Sequence, residues 1–289
     1  MADIQAFFDR KTSTVTYLVA DPETKRAAII DPVADFDPAP ARLGYASIDA
    51  ILDIAAQRGL AIDWALDTHA HADHLSAAHH VREKTGARIG IGAKITDVQK
   101  AFAPLFNAHD ITPDGAVFDA LWEDGATFRI GSVDVTVMHT PGHTPACVTY
   151  VVGDAAFVGD TLFMPDYGTA RADFPGGDAA TLYRSIQRIL ALPAETRIFV
   201  GHDYLPPGRT EVKWETTVAE QRLQNIHVGA GVTESEFVAM RRARDKTLAP
   251  PALILPSLQT NIRAGALPPR EDDGQQYLKL PVNRLGVAA

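Results

Sequence analysis

Residues 68–75 read Thr68-His69-Ala70-His71-Ala72-Asp73-His74-Leu75, and this stretch decides how the rest of the chain is read. Three imidazoles and one carboxylate fall within six positions. Neutral imidazole and carboxylate together suit zinc, iron and manganese. Histidine fills cores poorly and forms helices poorly, so a structural reason for such crowding is hard to find. An apolar run at 62–66 precedes the stretch and a helical pattern begins at Leu75. The four ligand types therefore sit on a strand-to-helix loop, where functional groups concentrate.

Outward from this loop the chain alternates strands and helices. Residues 12–20 and 26–31 read as strands around an Asp-Pro-Glu turn. Residues 47–57 read as a helix, with Ser47 as N-cap, Ile48, Ile51, Leu52 and Ala55 at helical spacing and Gly59 as the stop. A strand at 62–67, a helix at 75–84 ended by Gly86, a strand at 88–91 and a helix at 94–101 follow, then a loop-rich stretch at 107–125. Residues 127–138 form a hairpin turning at Gly131-Ser132, and 147–158 a second one around Gly153-Asp154. Asp178 caps a helix at 179–190, and 197–200 is a strand. Beyond this, 214–226 reads as helix, Thr233-Glu234-Ser235-Glu236 opens a helix to about Arg244, and 250–289 reads as an extended tail over the main domain. Two halves, each with strands first and helices after, predict an α/β sandwich of mixed sheets. We divide the chain into a domain at 1–213 and a C-terminal segment at 214–289 packed on it.

Composition sets bounds. The 289 residues are 46% hydrophobic and 22% charged, ordinary for a globular protein. A net charge of −9 argues against nucleic acid or an anionic membrane as partner, and an anionic substrate then needs a local positive site. No apolar run reaches membrane-span length, and residues 1–11 lack the continuous apolar segment of a secretory signal. Cys147 is the single cysteine, which excludes an intrachain disulfide and a cysteine-built zinc site. These features predict a reducing, cytoplasmic setting.

Three later sites repeat the ligand chemistry. Thr140-Pro141-Gly142-His143, Gly159-Asp160-Thr161 and Gly201-His202-Asp203 each follow a predicted strand, beside a glycine that permits a tight turn. Singly each is an ordinary turn. Together with the first loop they predict a metal site. With the first loop they bring a run of His and Asp side chains to strand ends. They could hold two metals and activate a hydroxide for hydrolysis, and spacing alone leaves that open.

In this order the motifs resemble the metallo-β-lactamase superfamily over residues 12–204, which implies an αββα sandwich with the metal site at strand ends between the sheets. A finer resemblance is to the persulfide dioxygenases, including the bacterial β-lactamase-like hydrolase group encoded in sulfide-detoxification operons. It is carried by the stretch from Gly159 through Arg171-Ala172-Asp173-Phe174 to Gly177, by Trp214 to Arg222, and by Leu253 to Arg263 in the tail. That resemblance implies one Fe(II) per chain on His69, His143 and Asp160, a set of two histidines and one carboxylate that leaves positions open for substrate and dioxygen. It implies that His71, Asp73, His74 and His202 orient the ligands and hydrogen-bond near the iron, or hold a second metal in the hydrolase alternative. The implied reaction takes glutathione persulfide, dioxygen and water to glutathione and sulfite, in a homodimer.

Carried over residue by residue, Arg171 is the expected substrate anchor, although Ala172 stands where the family has Thr. Its alternative is a surface ion pair with Asp173. Thr144 and Tyr204 match positions lining the thiol pocket, and Lys213, Arg209 and Arg222 are further cations for the glutathione carboxylates. Asp73, His74, Arg171 and Tyr204 form the expected catalytic set beside the metal ligands. Cys147 reads as a buried small residue, and His79, His80, His109, His139 and His227 are not counted as ligands. The rival enzyme is a dinuclear thioester hydrolase of the glyoxalase II kind, in which a further histidine typically stands where this chain has Ala70. A secreted β-lactamase is disfavoured by the missing signal, and a non-catalytic sensor by the complete ligand set.

Overall fold

Every residue of 14–20 is buried, with Val15, Tyr17 and Val19 on one face and Leu18 and Ala20 on the other. A strand covered on both faces belongs in the middle of a layered structure. In the computed structural model, which describes residues 2–284, that strand is β2 (Thr14–Ala20), paired antiparallel with β1 (Asp3–Asp9). Met1 and the last five positions of the predicted tail lie outside the described residues.

The first half continues with β3 (Arg26–Ile30), a small hairpin of β4 (Asp35–Asp37) and β5 (Arg42–Gly44), α1 (Ala46–Gln57), β6 (Ala61–Leu66), α2 (Ala78–Thr85), β7 (Arg88–Gly92), α3 (Ile95–Phe102) and β8 (Ala120–Trp122). Its sheet runs β1-β2-β3-β6-β7-β8, antiparallel as far as β3 and parallel beyond. The second half supplies β9 (Thr127–Ile130), β10 (Val133–His139), β11 (Val148–Val152), β12 (Ala155–Phe157), α4 (Ala179–Leu190), β13 (Arg197–Phe199), β14 (Glu215–Thr217), α5 (Val218–Gln224), α6 (Glu234–Asp245) and α7 (Ile254–Asn261). Its sheet runs β14-β13-β12-β11-β10-β9 and is parallel only between β12 and β13.

The two sheets face each other across Val15, Tyr17, Trp64, Val135, Tyr150 and Phe157. The outer face of the first sheet packs α1, α2, α3 and α7 on Leu18, Ile29 and Ile89. The outer face of the second packs α4, α5 and α6 on Ala156 and Ile198. The expected αββα sandwich of mixed sheets is thus the observed architecture. Two tyrosines cross the central layer to carbonyls just ahead of ligand loops. Tyr17 Oη donates to Val200 O at 2.6 Å and Tyr150 Oη to Asp67 O at 2.9 Å. Each satisfies a buried hydroxyl and pins the strand end from which a ligand loop departs.

Local differences from the sequence reading have local causes. Helix α1 is capped at Tyr45, because the Ser47 hydroxyl is taken by Asp35 Oδ1 at 2.5 Å. Helix α2 starts three residues later than expected, since residues 75–77 are held by Pro32 and Ala34 backbone groups. Residues 214–217 form β14 rather than helix, and Thr217 with Glu220 makes the capping box that opens α5. The tail contains α7 despite Pro256, which sits in its first turn where the missing N–H has no helical acceptor.

Helix α7 reaches back to the histidine loop. Asn261 Nδ2 donates to His71 O at 2.8 Å and to His74 O at 2.9 Å, and its Oδ1 accepts from Ser76 N at 2.8 Å. One buried amide therefore satisfies three backbone groups of the loop. Removing it leaves all three without partners, at about 1–3 kcal/mol for a buried group. We predict that Asn261→Ala lowers stability by about 2–4 kcal/mol in chemical denaturation, and that it weakens metal binding measured by titration.

Candidate metal centre

Each ligand loop leaves the C-terminal end of a strand, and the tight turns need particular residues. Gly159 has φ 50°, and a Cβ there would lie 2.3 Å from Thr68 Oγ1. Gly142 has φ 132°, with Leu182 backbone atoms 2.3 Å from the position of a Cβ. These glycines let the second-half loops close onto the first histidine loop.

The arrangement turns on Asp31, at the end of β3, which the sequence reading did not single out. It is buried, holds φ 51° without being glycine, and accepts from Thr68 N at 2.7 Å, Thr68 Oγ1 at 2.9 Å and His71 Nε2 at 3.0 Å. Thr68 Oγ1 in turn accepts from His69 Nδ1 at 3.0 Å. Carbonyls perform the same task elsewhere: His143 Nδ1 donates to Arg171 O at 2.8 Å and His202 Nδ1 to Ser13 O at 3.1 Å. For His69 and His143 one ring nitrogen carries the proton outward and the other is left as a lone pair facing the site, whereas His202 Nε2 faces two carboxylates.

Those bare atoms converge. His69 Nε2 lies 3.9 Å and His143 Nε2 3.7 Å from Asp160 Oδ2, and the three ligand atoms fall within 4.8 Å of one another. Asp160 Oδ1 faces the other way, 3.4 Å from His202 Nε2, which is also 3.2 Å from Asp73 Oδ2. His74 Nδ1 is 3.3 Å from Asp73 Oδ2. His69 Nε2, His71 Nδ1, His74 Nε2, His202 Nε2 and Asp160 Oδ1 are buried and lack a hydrogen-bond partner. Buried polar atoms are normally paired, so this set of imidazole nitrogens and carboxylate oxygen fits a metal ion such as iron or zinc.

Electrostatics agree. Burial, then neighbouring His71 and His143, hold His69 well below the usual imidazole range, so it is neutral and able to ligate. Burial and His74 do the same for His71. Burial pushes His202 down as well, but Asp160 and Asp73 outweigh it and hold His202 above its ordinary value. Burial raises Asp160, against the pull of His202 and His143.

All seven expected ligand types meet here, and the centre opens on a pocket of about 360 Å³ whose lining includes His143, Asp160, Tyr167, Arg171, Tyr204 and Leu248. Tyr204 lies flat on His202, centroids 5.3 Å apart, with 40% of its surface exposed. The remaining expected substrate residues fall differently. Arg171 lines the pocket, yet its guanidinium is taken by Asp173 at 2.6 and 2.8 Å and by Ala249 O at 2.7 Å. Its backbone oxygen, rather than its charge, touches a ligand histidine. Thr144 is buried with Oγ1 3.1 Å from Cys147 Sγ and is outside the pocket lining. Arg209 is paired with Asp166 and Asp203, Arg222 binds the carbonyls of Leu190 and Leu192, and Lys213 is exposed outside the pocket lining. Burial pushes the Cys147 thiol up to about 12, so it is an unreactive core residue. His80 stacks on Tyr45 and bonds Asp49, while His79 is half-buried beside Glu83.

The family model of the metallo-beta-lactamase superfamily matches residues 9–202. The chain belongs to this superfamily. Superfamily relatives include a beta-lactamase hydrolase-like protein of Agrobacterium fabrum, 56% identical over 98% of this chain and 65% of that protein, so the chain spans about two thirds of its length. Glyoxylase B2 of Dictyostelium discoideum is 46% identical over 98% of both chains. The mitochondrial persulfide dioxygenase ETHE1 of Homo sapiens is 31% identical over 92% of this chain and 90% of that one. The crystal structure of ETHE1 from Myxococcus xanthus superposes with a TM-score of 0.73 at 31% identity, covering 91% of this chain and all of that chain. As a superfamily member the chain carries a His/Asp metal-binding site in an enzyme fold, and no helix among the described residues is long and apolar enough to cross a membrane.

Two outcomes follow from this geometry. Asp31→Ala frees Thr68 and His71, and metal affinity measured by competition with a chelator should fall about 10- to 100-fold. His227, which accepts from Thr169 N at 3.0 Å behind the pocket wall, is pushed down to about 4 by burial and by Arg241 and Arg244. Its folded pKa lies below the unfolded one, near 6.5, so its stabilisation is complete above about pH 6.5 and is lost as pH falls toward 4. Relative to His227→Gln, the wild type should lose roughly 1–3 kcal/mol more across that interval in denaturant titrations.

Proposed function

We propose that this chain is a persulfide dioxygenase that holds one Fe(II) on His69, His143 and Asp160 and takes glutathione persulfide, dioxygen and water to glutathione, sulfite and two protons. The observation that carries the reading is the convergence of two histidine nitrogens and one carboxylate oxygen beside the pocket, the ligand pattern of non-heme iron oxygenases. The likeness to persulfide dioxygenase ETHE1 supports it. Iron supplies the redox chemistry that zinc lacks.

The chain's own residues do the rest. Asp31 through Thr68, and the Arg171 carbonyl, fix which nitrogens of His69 and His143 are bare. Asp73 and His202 hold a proton beside the outer oxygen of Asp160, where it can stabilise negative charge on the substrate. His74 steadies Asp73. Tyr204, with its pKa raised well above the phenol range by desolvation and by Asp160 and Asp73, stays a hydrogen-bond donor toward the thiol carrier. Arg171 acts as a brace: its ion pair with Asp173 fixes the backbone that holds His143.

A second reading rests on Asp160, whose two oxygens face different ligand groups as a bridging carboxylate between two metals does. That is the dinuclear thioester hydrolase, and the name of Glyoxylase B2 belongs with it. An oxygen electrode separates the two. Iron-loaded protein should consume dioxygen with glutathione persulfide, and zinc exchange or His143→Ala should reduce uptake by about a hundredfold or more. Zinc-loaded protein that cleaves a glutathione thioester, with no dioxygen uptake by the iron form, would establish the hydrolase instead.

A further inference from the structure

Four cations line the pocket: Lys11, Arg171, Arg241 and Arg244. Two are taken. Arg171 is bound to Asp173 and to carbonyls of 248–249, and Arg241 is buried with Nε 2.8 Å from Asp245 Oδ1 and Nη1 3.2 Å from Thr169 O. The other two differ. Among the described residues, the side chains of Lys11 and Arg244 make no ion pair or hydrogen bond; only the Lys11 amide and the Arg244 carbonyl are engaged. The chain has 36 acidic residues for 27 lysines and arginines, so a pocket cation without an acid is an exception that needs a reason.

Arg244 also stands close enough to Arg241 that its charge opposes the charge of Arg241, and both oppose protonation of His227. Positive charge gathers on this wall without full compensation, and an arriving anion relieves it. Among the described residues, the carboxylates lining the pocket, Asp73 and Asp160, belong to the metal end. Lys11 and Arg244 approach from different parts of the fold: Lys11 from the turn between β1 and β2, Arg244 from the last turn of α6. A planar guanidinium suits a carboxylate taken by two parallel hydrogen bonds, and a flexible ammonium suits a single oxygen.

We propose that Arg244 and Lys11 bind the two carboxylates of the thiol carrier, and so select a glutathione-type dicarboxylate over a carrier without carboxylates. The inference rests on the persulfide reading above and assigns its recognition to residues of the pocket mouth rather than to Arg171, Arg209, Arg222 or Lys213.

The test is calorimetric binding of glutathione, and of glutathione diethyl ester, to iron-loaded full-length protein under nitrogen. Wild type should bind glutathione more tightly than the diester. Lys11→Met and Arg244→Met should each weaken glutathione binding about tenfold and narrow the preference over the diester. Arg242→Met, on the same helix but outside the pocket lining, serves as the control and should match wild type. Glutathione binding by wild type that neither substitution weakens overturns this inference while leaving the persulfide reading standing. Absence of glutathione binding by wild type overturns the glutathione reading and this inference with it.

Discussion

Among the described residues, five polar atoms of the centre are buried without a hydrogen-bond partner, and much of the structure serves to keep them that way. An unpaired buried polar atom costs about 1–3 kcal/mol, so such a cluster persists only where surrounding groups hold it and a metal ion can complete it. Asp31, Thr68, the Arg171 carbonyl and the Ser13 carbonyl supply that hold by occupying the outward nitrogens of four histidines. The two sheets supply the position, since every ligand loop starts where a strand ends and Tyr17 and Tyr150 tie two of those ends across the core.

The C-terminal segment is part of the same device. Its first three-residue strand extends the second sheet, α6 brings Arg241 and Arg244 to the pocket, and α7 places Asn261 beneath the histidine loop. A bare sandwich ending after His202 would hold the ligands but lack the wall that carries the uncompensated cation and the amide that fastens the loop. Most other basic side chains around the centre are locked into structural pairs, which leaves recognition to few residues.

The sandwich was legible because its long elements obey simple rules. Residues 14–20 are all β-branched, aromatic or aliphatic, Gly86 ends α2 in the left-handed conformation, Asp178 caps α4 and Thr233 with Glu236 opens α6. The seven ligand types were legible because histidine and aspartate recur after strands in one pattern. What stayed hidden depends on contacts between distant residues. Asp31 reads only as the last residue of a strand, and its value lies in Thr68 and His71, some forty positions on. Asn261 sits in a tail stretch that reads as extended, and only the folded chain brings it to His74, 187 positions away. The pairing of the cations was hidden for the same reason: sequence shows charge but not which acid has already claimed it, as Asp173 claims Arg171 and Asp203 claims Arg209.

The central claim is that one iron sits on His69, His143 and Asp160. Anaerobic titration of metal-free protein with Fe(II), followed by calorimetry, tests it most directly. The account predicts a single tight equivalent per chain that is lost in His69→Ala and retained, with weaker affinity, in His74→Ala. Two tight equivalents, one of which disappears in His74→Ala, would contradict it and make the centre dinuclear.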